Sequence, residues 1–304
     1  MIHETVLVYG GSGFQSLAIA RALVARGHTC RVLTRSAESA RRIEALGAKP
    51  VYGNLVDAHS LEGATRGCDA VILTLPLVFD AGLALKWVDH VIRSAQTAGV
   101  EHFVFNTSGP VPEDETGVLA VDIKVRAKQR LAGSGLPVVG VEPALYMDNL
   151  ASPWAAPSIV LHGTLAYPLP ESQKVSWLSW QDMAAFVVAA MMRPDLAGQA
   201  LRVGGPQALT GSQLADALSS RLKKPVSYYR VPLDDFSAGL NGALGEPVGT
   251  EIARLYGWFS GEGAACLNVD ATHEETGKIL SVTSQRFADW ANAVDWTALT
   301  NPTP

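Results

Sequence analysis

Cysteine is scarce: Cys30, Cys68 and Cys266 are the three in 304 residues, with no close pairing and no metal-type spacing to histidine. That excludes a small disulfide-stapled fold and suits a reducing compartment. Long apolar runs are missing too. No stretch of about 18 apolar residues occurs, and the N-terminus lacks the basic, apolar and small-residue pattern of a secretory leader, so a cytoplasmic protein without a membrane partner is expected. Positive charge is sparse: the formal net charge is −5, and Arg41-Arg42 and Lys223-Lys224 are the densest basic points. Phosphate-backbone binding draws on clustered cations, so no nucleic-acid partner is expected. Gly-x-Ser-x-Gly and His-Glu-x-x-His are absent, which sets aside the commonest hydrolases. His28, His59, His90, His102, His162 and His273 show no ligand spacing, and no metal is expected. With 48% hydrophobic and 17% charged residues, the composition is that of an ordered globular chain.

What is present is a rhythm of strands and helices. Thr5 to Tyr9 is a β-branched and aromatic run, and glycines follow it at once. Leu17 to Val24 then carries helical periodicity. Arg31 to Thr34, Pro50 to Gly53, Ala70 to Leu75, His102 to Asn106 and Pro137 to Val141 read as further strands. Helices are expected over Ala37 to Leu46, Ala81 to Ala98 and Val121 to Ala132. Such alternation predicts an α/β fold, a doubly wound parallel Rossmann sheet. Beyond Glu142, prolines and tryptophans change the texture. The expected division is a Rossmann domain over 1–150 and a smaller C-terminal α/β substrate-binding region over 151–304, with some segments returning to the sheet. In that region Asp182 is placed to cap a helix over Met183 to Met192, and Thr210 or Ser212 one over Leu214 to Leu222. Val226 to Val231 alternates like a strand, and Phe287 to Ala293 reads as a terminal helix.

The loop Gly10-Gly11-Ser12-Gly13-Phe14-Gln15-Ser16 lies between the first strand and the first helix. Glycine there permits positive φ and close backbone approach, while the helix N-terminus offers amides and partial positive charge to a pyrophosphate. Ser16 stands where a third glycine is usual, and its small side chain still lets the helix pack near the sheet. The second strand ends in Thr34-Arg35-Ser36, where an NAD site carries an acidic residue for the ribose hydroxyls. A guanidinium at Arg35, assisted by Ser36 or Arg41, instead favours the 2′-phosphate of NADP(H). The bland alternative for Arg35 is a solvated cation at a strand end.

These residues resemble the NmrA-like family of atypical short-chain dehydrogenases and reductases, which holds quinone and isoflavone-type reductases as well as NADP-sensing regulators. The likeness extends over nearly the whole chain. It rests on the glycine loop, Thr34-Arg35, Gly53-Asn54-Leu55-Val56-Asp57, and Lys124 ahead of Leu131-Ala132-Gly133-Ser134-Gly135-Leu136-Pro137. It also covers Glu142 to Asn149, Trp177 to Asp182 and Gly204 to Thr210. The resemblance implies that Gly10, Gly13, Phe14 and Gln15 hold the pyrophosphate, Arg35 the 2′-phosphate, and Asn54 and Leu55 the adenine. It further implies that Thr74, Leu75 and Pro76 border the nicotinamide ribose, with Ser108 and Lys124 nearer the reacting carbon. The family more often has Asp at position 54 and Arg at position 142; for Glu142 the sequence offers no physical account.

Standard short-chain dehydrogenases carry a proton-donating Tyr four residues before the active-site Lys. Ala120 occupies that place here. Lys124 is the candidate catalytic residue, with the alternative of one cation among Arg126, Lys128 and Arg130 on a solvated helix face. Leu77, Phe79, Tyr146, Trp154 and Trp177, with Trp180, are candidates to line an apolar substrate pocket, core packing being the alternative for each tryptophan. The expected function is an NADPH-dependent oxidoreductase passing hydride to a small conjugated carbonyl or quinone-like substrate. The competing reading is a non-catalytic NADP(H)-sensing regulator with a protein partner; an NADP-dependent epimerase is disfavoured by the missing Tyr. Substrate identity, reaction direction and oligomeric state are not written in the sequence.

Overall fold

Val6, Leu7, Val8 and Tyr9 are all fully buried, as a strand covered on both faces requires, and the molecule is organised around them. A computed structural model describes residues 4–11 and 13–300. The chain alternates β1 (Thr5–Tyr9), α1 (Phe14–Ala25), β2 (Thr29–Thr34), α2 (Ala37–Glu44), β3 (Lys49–Tyr52), α3 (Ala58–Thr65), β4 (Ala70–Thr74), α4 (Ala81–Ala98), β5 (His102–Asn106), α5 (Leu119–Ala132) and β6 (Val138–Pro143). It continues through β7 (Leu145–Tyr146), α6 (Ala156–His162), β8 (Thr164–Tyr167), β9 (Val175–Leu178), α7 (Trp180–Met191), β10 (Ala200–Val203), β11 (Ala208–Leu209) and α8 (Gly211–Leu222). The rest holds β12 (Ser227–Arg230), α9 (Leu233–Leu244), α10 (Val248–Phe259), α11 (Asp270–Leu280) and α12 (Phe287–Ala293).

Two compact units share this chain. The first runs to Pro143 and takes back Trp180–Arg202 and Thr276–Val282; the second holds Ala144–Ser179, Val203–Glu275 and the chain from Thr283. The first unit is a doubly wound Rossmann sheet in the order β10-β6-β5-β4-β1-β2-β3. Every pairing from β6 through to β3 is parallel. Strand order reverses at β1 and β4, and a crevice opens there at the carboxyl ends of the strands.

One face of the sheet offers Leu7, Tyr9, Leu73 and Phe105 to a core that includes Leu61 of α3, Val88 of α4 and Leu131 of α5. Each such buried side chain contributes about 1.5–3 kcal/mol of transfer free energy. Tyr9 needs a partner for its hydroxyl and finds two, Thr65 Oγ1 at 2.5 Å and Ser94 Oγ at 3.1 Å. Burial pushes that phenol up to about 12. Alternation sends Val6 and Val8 to the opposite face. Helix α7 packs on α1 and on β4, β5 and β6, burying Met183, Phe186, Val187 and Val188.

The helix expected to begin after Asp182 therefore starts two residues before it. Asp182 is a buried member of the first turn and not its cap, because the apolar face already begins at Trp180. Helix α3 is an addition to the sequence reading; Asp57 caps it by accepting from the amides of His59 and Ser60, a contact of about 1 kcal/mol.

The second unit is a smaller α/β assembly. Its three-stranded sheet runs β11-β9-β7, and β8 pairs in parallel with β12. Tyr167, Trp177, Leu218, Phe259, Trp290 and Trp296 belong to its core. Tyr167 and Tyr256 share a buried 2.6 Å hydroxyl bond. Thr210 caps α8 in a reciprocal capping box with Gln213. Ser212, the other candidate cap, lies inside the helix and donates to Glu171. Among the described residues, no helix is long and apolar enough to cross a membrane.

Candidate functional site

The turn after β1 is dictated by its glycines. Gly10 has φ +130°, and a Cβ there would stand 2.8 Å from the Thr74 carbonyl oxygen and 2.7 Å from Ser16 Oγ. Only glycine fits both the dihedral and the space, and the small Ser16 is what lets α1 approach so closely. Gly11 also has positive φ, at +69°, and Ser12 lies outside the described residues. Helix α1 begins at Phe14 with Gly13 as a cap that has no side chain, and no acidic residue stands in its first turn. No carboxylate of its own first turn thus competes with an anion for its positive end.

From this turn a cavity of about 560 Å³ extends along the carboxyl ends of β1, β2 and β3. Gly10, Gly11 and Gly13 form one end, and Thr34, Arg35, Ser36 and Ser39 the other. Gly53, Asn54, Leu55, Pro76 and Trp87 complete the wall. Arg35 is exposed, and among the described residues no carboxylate lies in ion-pair range of it. Beside it, Ser36 caps α2 by accepting from the Ser39 amide at 3.2 Å, and its hydroxyl donates to Ser39 Oγ at 3.0 Å. Two hydroxyls therefore stand with one unpaired guanidinium. Arg41, the other proposed assistant, is not among the lining residues, because it lies further along α2.

The Asn54-Leu55 wall is fixed from behind. The Asn54 amide donates to Ser60 Oγ at 3.0 Å, and His90 Nδ1 lies 2.9 Å from the Leu55 carbonyl oxygen. One turn before His90, Trp87 has its indole nitrogen buried with no hydrogen-bond partner among the described residues. An orphaned donor of this kind costs about 1–3 kcal/mol unless a ligand serves it. Of the candidate cofactor residues, Gly10, Gly13, Arg35, Asn54, Leu55 and Pro76 thus line one cavity. Leu33, Ser39 and Trp87 join them unforeseen; helical spacing marked Trp87 only as a side chain of an amphipathic helix.

Thr74, Gln15 and Ser108 meet in a second cluster, around a residue that sequence reasoning passed over. Asn106, the last residue of β5, is fully buried. Its Nδ2 donates to Gln15 Oε1 at 2.9 Å and to Thr74 Oγ1 at 3.1 Å, and its Oδ1 accepts from the Ser108 amide at 3.2 Å. Ser108 has φ +57°, unusual for a residue with a Cβ, and its hydroxyl donates to the same Gln15 Oε1 at 2.9 Å. A polar residue closing the apolar run His-Phe-Val-Phe was the available signal.

Lys124 is half-buried, and the built Cβ of Gly109 would fall 2.9 Å from its Nζ, so the ammonium rests against bare backbone. Desolvation pushes it down to about 8, with Glu142 opposing the shift. The neighbouring cations behave differently. Arg126 pairs with Glu115 and Arg130 with Asp89 at the surface, so the solvated-face reading applies to them and not to Lys124. Glu142, unexplained in the sequence, is a carboxylate 3% exposed, held by Lys128 at 2.7 Å with Arg202 at 3.8 Å. Asp122 accepts from the amides of Thr116 and Gly117 and so ties the loop before α5 to the helix carrying Lys124.

The candidate substrate residues fare unevenly. In the first unit Leu77 is exposed and Phe79 half-buried, while Phe14 and Trp180 stack on each other at 4.8 Å. In the second unit Trp154 is exposed and Tyr146 buried. Trp177 is 3% exposed and packs edge-on to Tyr167, so core packing is what its ring does.

Residues 3–291 match the model of the NmrA-like family. The chain is 31% identical to an NAD(P)H azoreductase of Xenophilus azovorans, over 95% of this chain and 97% of that protein. Its fold is like that of an NADPH-dependent quinone oxidoreductase from Escherichia coli solved with NADPH, with a TM-score of 0.76 at 21% identity over 97% of this chain and 100% of the other. It is also like a triphenylmethane reductase from Citrobacter sp. complexed with NADP(H), with a TM-score of 0.78 at 17% identity over 94% and 98% of the two chains.

Proposed function

Because the chain belongs to the NmrA-like family, we propose that it is an NADPH-dependent oxidoreductase that transfers hydride to a small conjugated carbonyl or quinone-like substrate. One observation carries this reading: a single cavity joins the glycine turn to an unpaired guanidinium flanked by two serines. The residues fit the cofactor. Gly10, Gly13, Phe14 and Gln15 hold the pyrophosphate at the start of α1, Arg35 with Ser36 and Ser39 grips the 2′-phosphate, and Asn54, Leu55 and Trp87 enclose the adenine. Thr74, Leu75, Pro76 and Ser108 border the nicotinamide half.

Bound NADPH supplies the hydride. What remains for the protein is to orient an electrophile and to deliver a proton where negative charge develops. Lys124 is the proton source, and an ammonium lowered to about 8 is well matched to that task at neutral pH. Substrates that accumulate charge on a delocalised oxygen or nitrogen need least assistance, which accommodates the absence of a Tyr at position 120. A titrating lysine poised beside bare backbone favours turnover over pure cofactor sensing. None of the three cysteines forms a disulfide and two of them are buried, which supports a reducing, cytoplasmic location.

The test is NADPH oxidation at 340 nm against a panel of quinones, enones and azo compounds. Turnover is expected with at least one class, with kcat constant well below pH 8 and falling as pH rises through about 8, because Lys124 loses its proton there. Tight NADPH binding with no turnover on any member would overturn the enzymatic reading.

A further inference from the structure

Every hydrogen bond in the Asn106 cluster has a direction, and the direction is set at one point. The Ser108 amide is a backbone N–H and can only donate, so the atom it meets 3.2 Å away must be the carbonyl oxygen of Asn106. That assigns the opposite end of the Asn106 amide as Nδ2, whose two hydrogens go to Thr74 Oγ1 and to Gln15. The Gln15 atom receiving one of them must in turn be Oε1, and the Ser108 hydroxyl donates to it as well. A side-chain amide whose oxygen is engaged twice presents its NH2 group the other way. No other member could reverse this order. Thr74 and Ser108 contribute hydroxyls, which rotate to donate or accept, and only the two amides carry a fixed polarity.

We propose that Asn106 is a positioning residue that locks the Gln15 amide with its N–H donors facing the nicotinamide half of the bound dinucleotide. This rests on the cofactor assignment above. Gln15 stands in the first turn of α1, Thr74 closes β4 and Ser108 follows β5, so the relay lies at the reversal of strand order where the two halves of the sheet meet. The phosphate oxygens next to the start of α1 can only accept, so they call for a donor from Gln15 and not for a lone pair. Asn106 is fully buried, and of the side chains it holds only the Gln15 amide has a fixed polarity for it to set.

The experiment is a double-mutant cycle with Asn106→Asp and Gln15→Met, reading the dissociation constant for NADPH by calorimetry between pH 6 and 9. An ionised carboxylate at position 106 still accepts from the Ser108 amide and from Thr74, but its second oxygen meets Gln15 Oε1 and forces that amide to turn over. The protonated acid donates to Gln15 as the wild-type amide does. The N106D protein is therefore expected to bind NADPH more weakly than wild type by about tenfold at pH 9, with the ratio shrinking toward pH 6. Q15M alone is expected to lose about tenfold at every pH, and N106D adds nothing in the Q15M background. Additive losses, or N106D tracking wild type up to pH 9, would overturn the relay. Gln15→Glu, at a half-exposed position that leaves the core intact, provides an independent arm: weaker binding than Q15M supports the donor assignment, and equal or tighter binding refutes it. A wild-type protein that binds no NADPH would instead remove the cofactor reading and this inference with it.

Discussion

On the β1–β2–β3 side of the sheet, Gly10, Gly13, Arg35 and Asn54 come from turns that directly follow consecutive strands, and the charged member is exposed. On the β4–β5 side the polar groups come from distant segments. Gln15 meets Asn106 across 91 positions and Ser108 across 93, Asn106 is fully buried, and Lys124 is desolvated. The phosphate end is thus assembled from local chain and stays wet, so its charge costs the fold little. The reacting end holds polar groups away from water, which makes their orientation and protonation sharp at the expense of stability.

If this contrast is right, changes at the two ends move different quantities. The largest effect is expected for Lys124→Met. Stopped-flow or steady-state assays should show kcat reduced on the order of 100-fold or more, with the NADPH dissociation constant within about threefold of wild type. Because folding lowers this lysine from 10.5 to about 8, the native state binds fewer protons than the unfolded one. The contribution of Lys124 to stability should then rise as pH climbs from about 8 to about 10.5, seen as the difference between wild type and Lys124→Met. Replacing the lysine near neutral pH should therefore stabilise the protein by about 1–2 kcal/mol after discounting partial exposure. A lower Tm for Lys124→Met would break the contrast.

Next comes Arg35→Ala. KM for NADPH should rise roughly 10–100-fold, the loss of a bidentate charge-assisted contact, while KM for NADH and kcat are held. Tm should stay within about a degree, since an exposed cation with no ion-pair partner contributes almost nothing to folding. An unchanged NADPH-to-NADH ratio would remove the role given to Arg35.

The smallest effect sharpens the boundary between the two ends. Trp87→Phe deletes the orphaned indole N–H from the cavity wall. NADPH binding is expected to weaken about threefold, whereas the free protein should melt no lower than wild type, because an unserved donor has been taken out of the interior. A clear drop in Tm with intact affinity would make Trp87 ordinary packing.

The same contrast decides what could be read in the sequence. The βαβ rhythm, the glycine turn and Arg35 were legible because each is a local signal: period, dihedral requirement or charge at a strand end. Helix α4 (Ala81–Ala98) and α12 (Phe287–Ala293) occur with the expected bounds. Helix α3 escaped because Ala58–Thr65 is short and holds an interior glycine, and the start of α7 was misplaced because Asp182 resembles a cap. The relay through Asn106 and the account of Glu142 were illegible for a different reason. Both depend on contacts between strand ends and helices that only the completed sheet defines, and Lys124 could not be told from its solvated neighbours by spacing alone.

The return of α7 to the first unit bears on how this chain is made. At Pro143, β1 through β6 have been synthesised in sequence order, yet Phe186, Val187 and Val188, which cover part of the sheet, lie about 40 residues further on. At roughly 5–20 residues per second, the nascent sheet waits about two to nine seconds with that apolar surface uncovered. Translation speed across the intervening segment, and chaperones that shield the waiting surface, should consequently affect the yield of native protein.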